Sequence, residues 1–475
     1  MAEPFALNLG FARHNAQPMA TGAQEKADTD VAASQSPRSL TLRETLAFYL
    51  PVAASWLLMA LEGPIIYSFV NRLPETTDET RAALSVVIGL SIWIEAPVIG
   101  LLSTSTTLAR NRQHYWQLRR FTLHLCAAVT FVAAAVALTP LYDLIVRVWM
   151  NQPKDVADGA RIGMILMIPW SAAIGWRRYT QGILIRHGAT RAVGIGTAVR
   201  LVAAGVAAFL VFQFTSLNGI WLGGCAWVAA VVSEAIYAHW VARPVIAQLV
   251  KTETPERLGY RELARFHLPL SITSMISILA KPIIQTALSY GKNPAALVSA
   301  YEMGWIFMFP LRALGFALPE VIIRLQEEEN SHSFLFRFCL SLGAIASAAL
   351  LLFVLTPLGD LYLHGVLSLP PDNAALARQW ALAASAIPFL TCLQAWLRGM
   401  LTALRRTSAL SFSMGVYLGV LVLFLIGGVL LGRMTVLTPA YGITVAALAE
   451  TVTLYSFYRS ATRAKDPTPP TESPS

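Results

Sequence analysis

Twelve long apolar runs divide residues 44 to 459 of the chain. A helix needs roughly 20 apolar residues to cross a bilayer. Because lipid offers no partner for backbone N–H and C=O groups, each run is expected to be a helix. Only 13% of the residues are charged, against about a quarter in soluble domains. The sequence therefore predicts an all-α polytopic membrane protein with twelve transmembrane helices. Numbered as spans 1 to 12, the runs cover 44–70, 82–109, 120–140, 160–185, 191–213, 217–242, 263–289, 296–324, 334–357, 374–404, 407–431 and 437–459.

The basic residues indicate how the chain is oriented. They concentrate in the loops that follow even-numbered spans and near both ends of the chain. By the positive-inside rule, those loops and both termini are predicted to be cytoplasmic, in a multi-pass protein of the inner (plasma) membrane. The polar stretches 1–43 and 461–475 are predicted to be disordered tails. The basic loops account for the net charge of +9, so this charge does not indicate a nucleic-acid partner.

The sequence carries none of the motifs that would indicate an enzyme. It has no Walker motif, no HExxH and no nucleophile elbow, and its four cysteines lie singly in apolar runs. We therefore expect neither a metal site nor a disulfide framework nor a bound cofactor. Without an ATP site, any transport would be passive or coupled to an ion such as H⁺ or Na⁺. The partners that the sequence predicts are a small-molecule substrate and the lipid bilayer, with no obligate protein partner.

An internal repeat relates the two halves of the chain. The stretch "FYLP" at 48–51 recurs as "FHLP" at 266–269, and "LTPLYDL" at 138–144 recurs as "LTPLGDL" at 355–361. The displacement is nearly constant along an ordered series of such matches, which favours a tandem duplication of a six-span unit. An even number of spans keeps both copies in the same orientation, so the repeats are predicted to be parallel.

The duplication predicts two lobes around a central cavity. The N-lobe is expected over 44–243 and the C-lobe over 263–460, joined by a cytoplasmic linker at 244–262. Rocking of two such lobes would expose the cavity to one side of the membrane and then to the other, as in secondary transporters. A structural or channel-like bundle is the alternative interpretation.

Ionisable residues inside the spans are the candidates for a functional site, because each is costly in lipid unless it is paired or hydrated. Lys281 stands in the second copy where Gly63 stands in the first, next to Glu62, so a Glu62–Lys281 pair between the lobes is a possible gate. A static buried salt bridge is the alternative. Arg398 is expected to snorkel towards the inner boundary. The substrate- or ion-binding candidates are Glu62, Glu95, Lys281, Glu302 and Arg312.

A second set of charges has a more structural character. Glu234 and Glu450 occupy matching positions in the two copies, which favours the same supporting role in each lobe, with Arg200 as a possible partner. The secondary candidates are Arg177, Arg178, Arg200, Glu234 and Glu450.

Prolines inside the spans predict helix kinks, because proline removes a backbone hydrogen bond and clashes with the preceding turn. "WIEAPVIG" at 93–100 can be aligned with "WIFMFPLRALG" at 305–315 by their Trp-Ile and their prolines. In that alignment the kink is shared and Glu95 belongs to the first copy alone. One interpretation places Glu95 opposite Arg312 across the site. The predicted kink positions are Pro51, Pro64, Pro97, Pro269, Pro282 and Pro310.

The chain resembles the multidrug/oligosaccharidyl-lipid/polysaccharide (MOP) exporter superfamily, which includes the multidrug and toxic compound extrusion (MATE) transporters. It is most similar to the progressive ankylosis protein and its bacterial relatives. The resemblance covers about residues 44 to 460, in "FYLPVA", "IPWSAAIGWRRYTQGILIRHGATRAVG" and "SILAKPIIQTALS". It implies a MATE-like twelve-helix fold.

The resemblance also implies a function. Many bacterial MATE proteins use an aspartate of span 1 for ion coupling, and Glu62 is the nearest carboxylate here. Ankylosis-like relatives export anionic metabolites, for which Lys281 and Arg312 would serve together with the arginines of span 4; drug exporters would use Glu95 and Glu302. We therefore expect an ion-coupled secondary exporter of a small solute, drug-like or an anionic metabolite. The alternatives are a flippase for a lipid-linked saccharide and a non-transporting membrane scaffold.

Overall fold

The computed structural model describes residues 40–253, 257–326, 331–404 and 406–463. Within these ranges the chain is almost entirely helical and has no β-strand, which confirms the predicted fold class. The predicted tails lie outside the described residues except for 40–43 and 461–463, as do residues 254–256 of the predicted linker. We keep the number of each predicted span for the helix or helix pair that occupies it.

The helices of the N-lobe fill spans 1 to 6. Several spans consist of two helices separated by a short break. Their bounds are Leu42–Ala60 with Glu62–Val70, Asp78–Ile99 with Leu101–Leu108, Arg112–Leu138, Lys154–Leu166 with Ile168–Arg186, Thr190–Phe214, and Gly219–Leu249.

The helices of the C-lobe repeat this order in spans 7 to 12. Their bounds are Tyr260–Ile278 with Ala280–Leu288, Pro294–Ala313 with Leu318–Leu325, Ser331–Leu355, Pro371–Ala383 with Ile387–Ala403, Thr407–Leu430, and Leu437–Arg463. Both ends of both helices in span 1 recur in span 7 at a displacement of 218 residues. The π-helical turns Leu144–Trp149 and Leu361–Val366 recur at 217. Even the irregular turns are thus duplicated.

Most of the predicted spans meet a length and composition test for crossing a membrane. Ten helices in the described ranges are long and apolar enough, and the bent pair in span 10 raises the number to eleven. The helix pair of span 4 carries Arg177 and Arg178 and is outside that set. Span 4, which does not meet the test, places two guanidinium groups inside the bundle.

Prolines break spans 1 and 7 at equivalent points. The helix is interrupted at Leu61 and at Leu279, three residues before Pro64 and Pro282. Proline cannot donate to the carbonyl four residues earlier and its ring crowds that turn, which explains the position of each break. Glu62 therefore begins a new helix beside an interruption.

The structure corrects the alignment of spans 2 and 8. The helices that end these spans, Leu101–Leu108 and Leu318–Leu325, are displaced by 217 residues. At that displacement Pro97 matches Leu314, so the prolines Pro97 and Pro310 are not equivalent as the sequence alignment had them. Glu95 matches Arg312, whereas the alignment by the Trp-Ile dipeptides places it on Phe307. The two copies therefore place opposite charges at one repeat position.

The repeat also duplicates a close approach between helices. A Cβ added at Gly182 in span 4 would lie 2.6 Å from the carbonyl oxygen of Leu102, and one added at the equivalent Gly399 would lie 2.8 Å from Ile322. Both contacts are shorter than van der Waals packing allows. Glycine at these positions lets the fourth helix of each lobe pack directly on the second.

We expect Gly182→Ala to destabilise the protein, because overpacking at such a contact costs about 1–3 kcal/mol. The apparent melting temperature of the detergent-solubilised protein should fall by several degrees. Gly415→Ala is the matched control, since no described atom lies within 4 Å of a Cβ added there. Equal melting of the Gly182→Ala variant and the wild type would contradict the inferred close packing.

Candidate functional site

A cavity of about 760 Å³ lies between the two lobes and is lined by both. We call it the central cavity. The N-lobe contributes residues of spans 1, 2 and 4 to 6, among them Trp56 and Ile88, and the C-lobe contributes residues of spans 7, 8 and 10 to 12. Its charged lining residues are Glu62, Arg200, Lys281, Glu302, Arg312, Arg398 and Glu450. Four of the five first-choice candidates therefore line one cavity.

Glu62 is paired within its own lobe. The Nε of Arg200 donates to Oε2 of Glu62 at 2.8 Å, and both side chains are buried. The predicted pair between Glu62 and Lys281 is not formed. Its physical reason is the helix register: Glu62 matches Ala280 rather than Lys281 in the repeat, and one residue turns a helix by about 100°. The two charges therefore lie on different faces of their helices.

Lys281 is held by Glu302 of the C-lobe. Its Nζ lies 2.8 Å from Oε2 of Glu302, and that oxygen also accepts a hydrogen bond from the Ser85 hydroxyl at 2.7 Å. Ser85 and Glu302 are displaced by 217 residues, so they are repeat equivalents that meet each other between the lobes. Glu302 thus neutralises a cation in its own lobe and contacts the opposite lobe.

In each lobe, a carboxylate of the last helix contacts one arginine and one glutamine of the fourth span. In the N-lobe, Glu234 forms an ion pair with Arg177 at 2.7 Å and accepts a hydrogen bond from the amide of Gln181 at 3.0 Å. The guanidinium of Arg200 lies 3.7 Å from the same carboxylate. Arg200 is thereby shared between Glu234 and Glu62. Arg200, a possible partner of Glu234 from the sequence, thus lies within ion-pair distance of it.

In the C-lobe, Glu450 pairs with Arg398 and accepts a hydrogen bond from Gln394 at 3.2 Å. Gln394 is the repeat equivalent of Arg177, and Arg398 is that of Gln181. The arginine and the glutamine have therefore exchanged places one helical turn apart. Arg398 does not snorkel to the membrane boundary as expected, because its guanidinium forms an ion pair with Glu450.

Of the charged residues that line the central cavity, Arg312 has no carboxylate partner among the described residues. Its Nε donates to the Thr391 hydroxyl at 3.1 Å. Its guanidinium carbon lies 5.1 Å from the ring centre of Trp305 and 5.4 Å from that of Phe316. Such cation–π contacts hold the charge without neutralising it.

Glu95 lies outside the central cavity, within the N-lobe. Its side chain is only 4% exposed, and its Oε2 has no hydrogen-bond partner among the described residues. The charges that act on it are those of Arg177, Arg178 and Arg200. Its supposed position opposite Arg312 is therefore wrong: Glu95 faces the arginines of its own lobe.

Several residues of the site escaped the sequence analysis. Ser85 is a small polar residue in an apolar run, which carries no signal by itself. Gln181 and Gln394 could have been found through the repeat, since each matches an arginine of the other copy. Tyr417 lines the cavity at the position equivalent to Arg200.

Two layers of hydrogen bonds join the lobes on either side of the central cavity. In the half near both termini, Tyr49 donates to the carbonyl of Leu314 at 2.9 Å, and its repeat equivalent His267 bonds to the carbonyl of Pro97 at 2.9 Å. We call this the near layer. It links the first helix of each lobe to the second helix of the other.

The far layer lies at the opposite end of the bundle. Asn71 donates to the carbonyl of Leu367 at 2.8 Å. The hydroxyl of Ser289, the repeat equivalent of Asn71, lies 2.9 Å from the carbonyl of Met150, the repeat equivalent of Leu367. Each layer is thus a pair of contacts related by the internal repeat.

The architecture is similar to that of known transporters. No protein-family model matches the chain, and no curated protein matches it. A multidrug resistance MATE family transporter of the MOP superfamily in an inward-facing conformation aligns with a TM-score of 0.63, at 14% identity, over 86% of this chain and 96% of its own. This chain has the fold of the MOP transporters.

Two further solved structures extend the comparison. A MATE transporter in an outward-facing conformation gives a TM-score of 0.61 at 15% identity, over 89% of this chain and 96% of its own. The lipid II flippase MurJ, in an inward closed conformation, gives 0.64 at 9% identity, over 86% of this chain and 87% of its own. The MOP fold is therefore found in both inward-facing and outward-facing arrangements.

Proposed function

We propose that this protein is a secondary exporter that moves a small organic anion across the plasma membrane by alternating access. The observation that carries the proposal is the central cavity, which both lobes line and which lies between two separable layers of contacts. Each layer consists of a few hydrogen bonds, and a typical one contributes only about 0.5–1.5 kcal/mol net. Rocking the lobes would break one layer while the other stays closed.

The charge of the cavity supports an anion as substrate. Among its described lining residues are four cations and three carboxylates. Each carboxylate is paired with a cation: Glu62 with Arg200, Glu302 with Lys281 and Glu450 with Arg398. Arg312 remains, so the cavity carries one uncompensated positive charge. In a low-dielectric site such a charge attracts an anion and disfavours a cation.

Coupling to H⁺ or Na⁺ is part of the proposal, since the sequence contains no nucleotide-binding motif. Glu62 is the carboxylate of span 1 that lines the cavity, and Arg200 connects it to Glu234. A cation that competes with Arg200 for Glu62 would alter this network. No enzymatic activity is proposed, and the structural neighbours described above are transporters and a flippase.

Reconstitution in liposomes tests the proposal. Uptake of radiolabelled benzoate, citrate and tetraphenylphosphonium would be measured under an imposed H⁺ or Na⁺ gradient, beside translocation of a fluorescent phospholipid. We expect gradient-dependent flux of an organic anion above the flux into protein-free liposomes, and no such excess for the cation. Cation flux alone would overturn the assignment of charge, and lack of any flux or lipid translocation would point to a scaffold.

A lipid flippase is the second candidate. The likeness to MurJ favours it, because that flippase has the same fold with a TM-score of 0.64. In the liposome assay, lipid translocation without flux of the small ions would support this candidate and exclude the exporter.

A further inference from the structure

We infer that the substrate of the central cavity is a monoanion that carries a planar aromatic ring. This inference rests on the proposed function and refines it. Its basis is the surroundings of Arg312, where one unpaired guanidinium stands beside a continuous wall of aromatic side chains.

The aromatic wall runs along the cavity from Trp56 to Trp305. The ring centres of Trp56 and Phe316 are 5.2 Å apart, those of Phe316 and Phe309 are 5.9 Å apart, and Phe309 stacks on Trp305 at 5.9 Å. All four rings are half-buried and line the cavity. A wall that leaves ring surface accessible inside a cavity offers stacking contacts to a planar ligand.

The guanidinium of Arg312 is fixed with its binding edge free. Its Nε is used by Thr391, and Trp305 and Phe316 hold its position through their rings. Its two terminal nitrogens have no hydrogen-bond partner among the described residues. Two parallel N–H groups match the geometry of one carboxylate or sulfonate. The anionic group and the ring of the ligand would therefore bind side by side.

The balance of charge limits the ligand to a single negative charge. The other three lining cations are each matched by a carboxylate, so a second anionic group would meet Glu302 or Glu450 as well as their partners. Like charges at close range are unfavourable in a desolvated site. A polyanion without a ring fits neither the charge nor the wall.

Binding of a matched set of naphthalene compounds to the purified full-length protein tests the inference. The set comprises 2-naphthoate, its saturated counterpart decahydro-2-naphthoate, the dianion 2,6-naphthalenedicarboxylate and the cation 2-naphthylmethylammonium, measured by isothermal titration calorimetry. We expect 2-naphthoate to bind at least about fivefold more tightly than each of the others, a difference within the range of one aromatic or ionic contact. Equal or tighter binding of the dianion, the cation or the saturated acid would overturn the inference.

Two variants locate the binding site. Arg312→Gln should weaken 2-naphthoate binding by about tenfold or more, as expected for the loss of a charge-assisted contact. Phe309→Leu, which removes a ring of the aromatic wall other than the two that hold Arg312, should weaken 2-naphthoate several-fold while leaving the saturated acid nearly unchanged. Arg119→Gln is the matched control, because Arg119 lies 5.2 Å from the ring centre of Trp116 outside the cavity.

The outcomes separate this inference from the proposed function. If a monodisperse Arg312→Gln protein binds 2-naphthoate as the wild type does, the assignment of Arg312 is wrong. If 2-naphthoate binds as expected but no anion crosses liposomes, the transport proposal fails and the ligand class stands. If citrate crosses but 2-naphthoate does not bind, the ligand class fails and transport stands.

Discussion

The double variant Asn71→Cys/Leu367→Cys is expected to lose solute flux completely when a short bifunctional methanethiosulfonate joins the two thiols. Asn71 ends span 1 and contacts the carbonyl of Leu367 across the lobe interface at 2.8 Å. A covalent bridge at this point prevents the far layer from opening. Since alternating access requires that opening in every cycle, a cross-linked molecule has no route to the far side.

Reconstituted protein would be assayed before the reagent, after it and after reduction. Flux should return with the reductant, because the link is a pair of disulfides. Arg147→Cys/Asp158→Cys is the matched control: these residues form an ion pair within the N-lobe, so joining them does not restrain the lobes. Full flux through quantitatively cross-linked Asn71→Cys/Leu367→Cys protein would rule out rocking of the lobes about the cavity.

Arg200→Gln is expected to be the most destabilising exchange in the N-lobe. Arg200 is 8% exposed and lies between Glu62 at 2.8 Å and Glu234 at 3.7 Å. Removing one partner from a buried ion pair typically costs about 3–5 kcal/mol, because the remaining charge stays desolvated. The melting temperature in detergent should fall sharply, together with the yield of monodisperse protein.

A second substitution distinguishes loss of charge pairing from loss of packing. In Arg200→Gln/Glu62→Gln the abandoned carboxylate is neutralised, so part of the lost stability should return. Arg433→Gln, at an exposed position on the far side, should melt with the wild type. If the two substitutions at 200 and 62 reduce stability additively, the energetic coupling between Arg200 and Glu62 is absent.

The sequence was informative about the fold because its signals are local or repeated. Apolar run length predicts helices wherever backbone groups must be satisfied in lipid. The identities between "LTPLYDL" and "LTPLGDL" fall where both copies pass from a helix into a π-helical turn. The displacement of 217 residues between these two stretches therefore agrees with the structure. The alignment of Pro97 with Pro310 failed because two prolines in apolar sequence match easily out of register.

The partners of the charges could not be predicted in the same way. Glu62 and Lys281 are adjacent in the aligned repeats, yet a step of one residue turns the side chain to another face of the helix. In the sequence, Arg398 resembles an arginine at the membrane boundary, because no local pattern indicates that it pairs with Glu450. Pairing depends on helix rotation, which apolar residues on all sides of a span leave undetermined.

The two layers between the lobes share one chemical property. Every acceptor in them is a backbone carbonyl, at Leu314, Pro97, Leu367 and Met150. A carbonyl is present whatever side chain the residue carries, so mutation on the acceptor side leaves the contact available. In these four contacts the hydrogen bond is therefore specified by the donor side chain alone. This arrangement lets the two halves of a duplicated gene diverge widely while they still fit together at both ends.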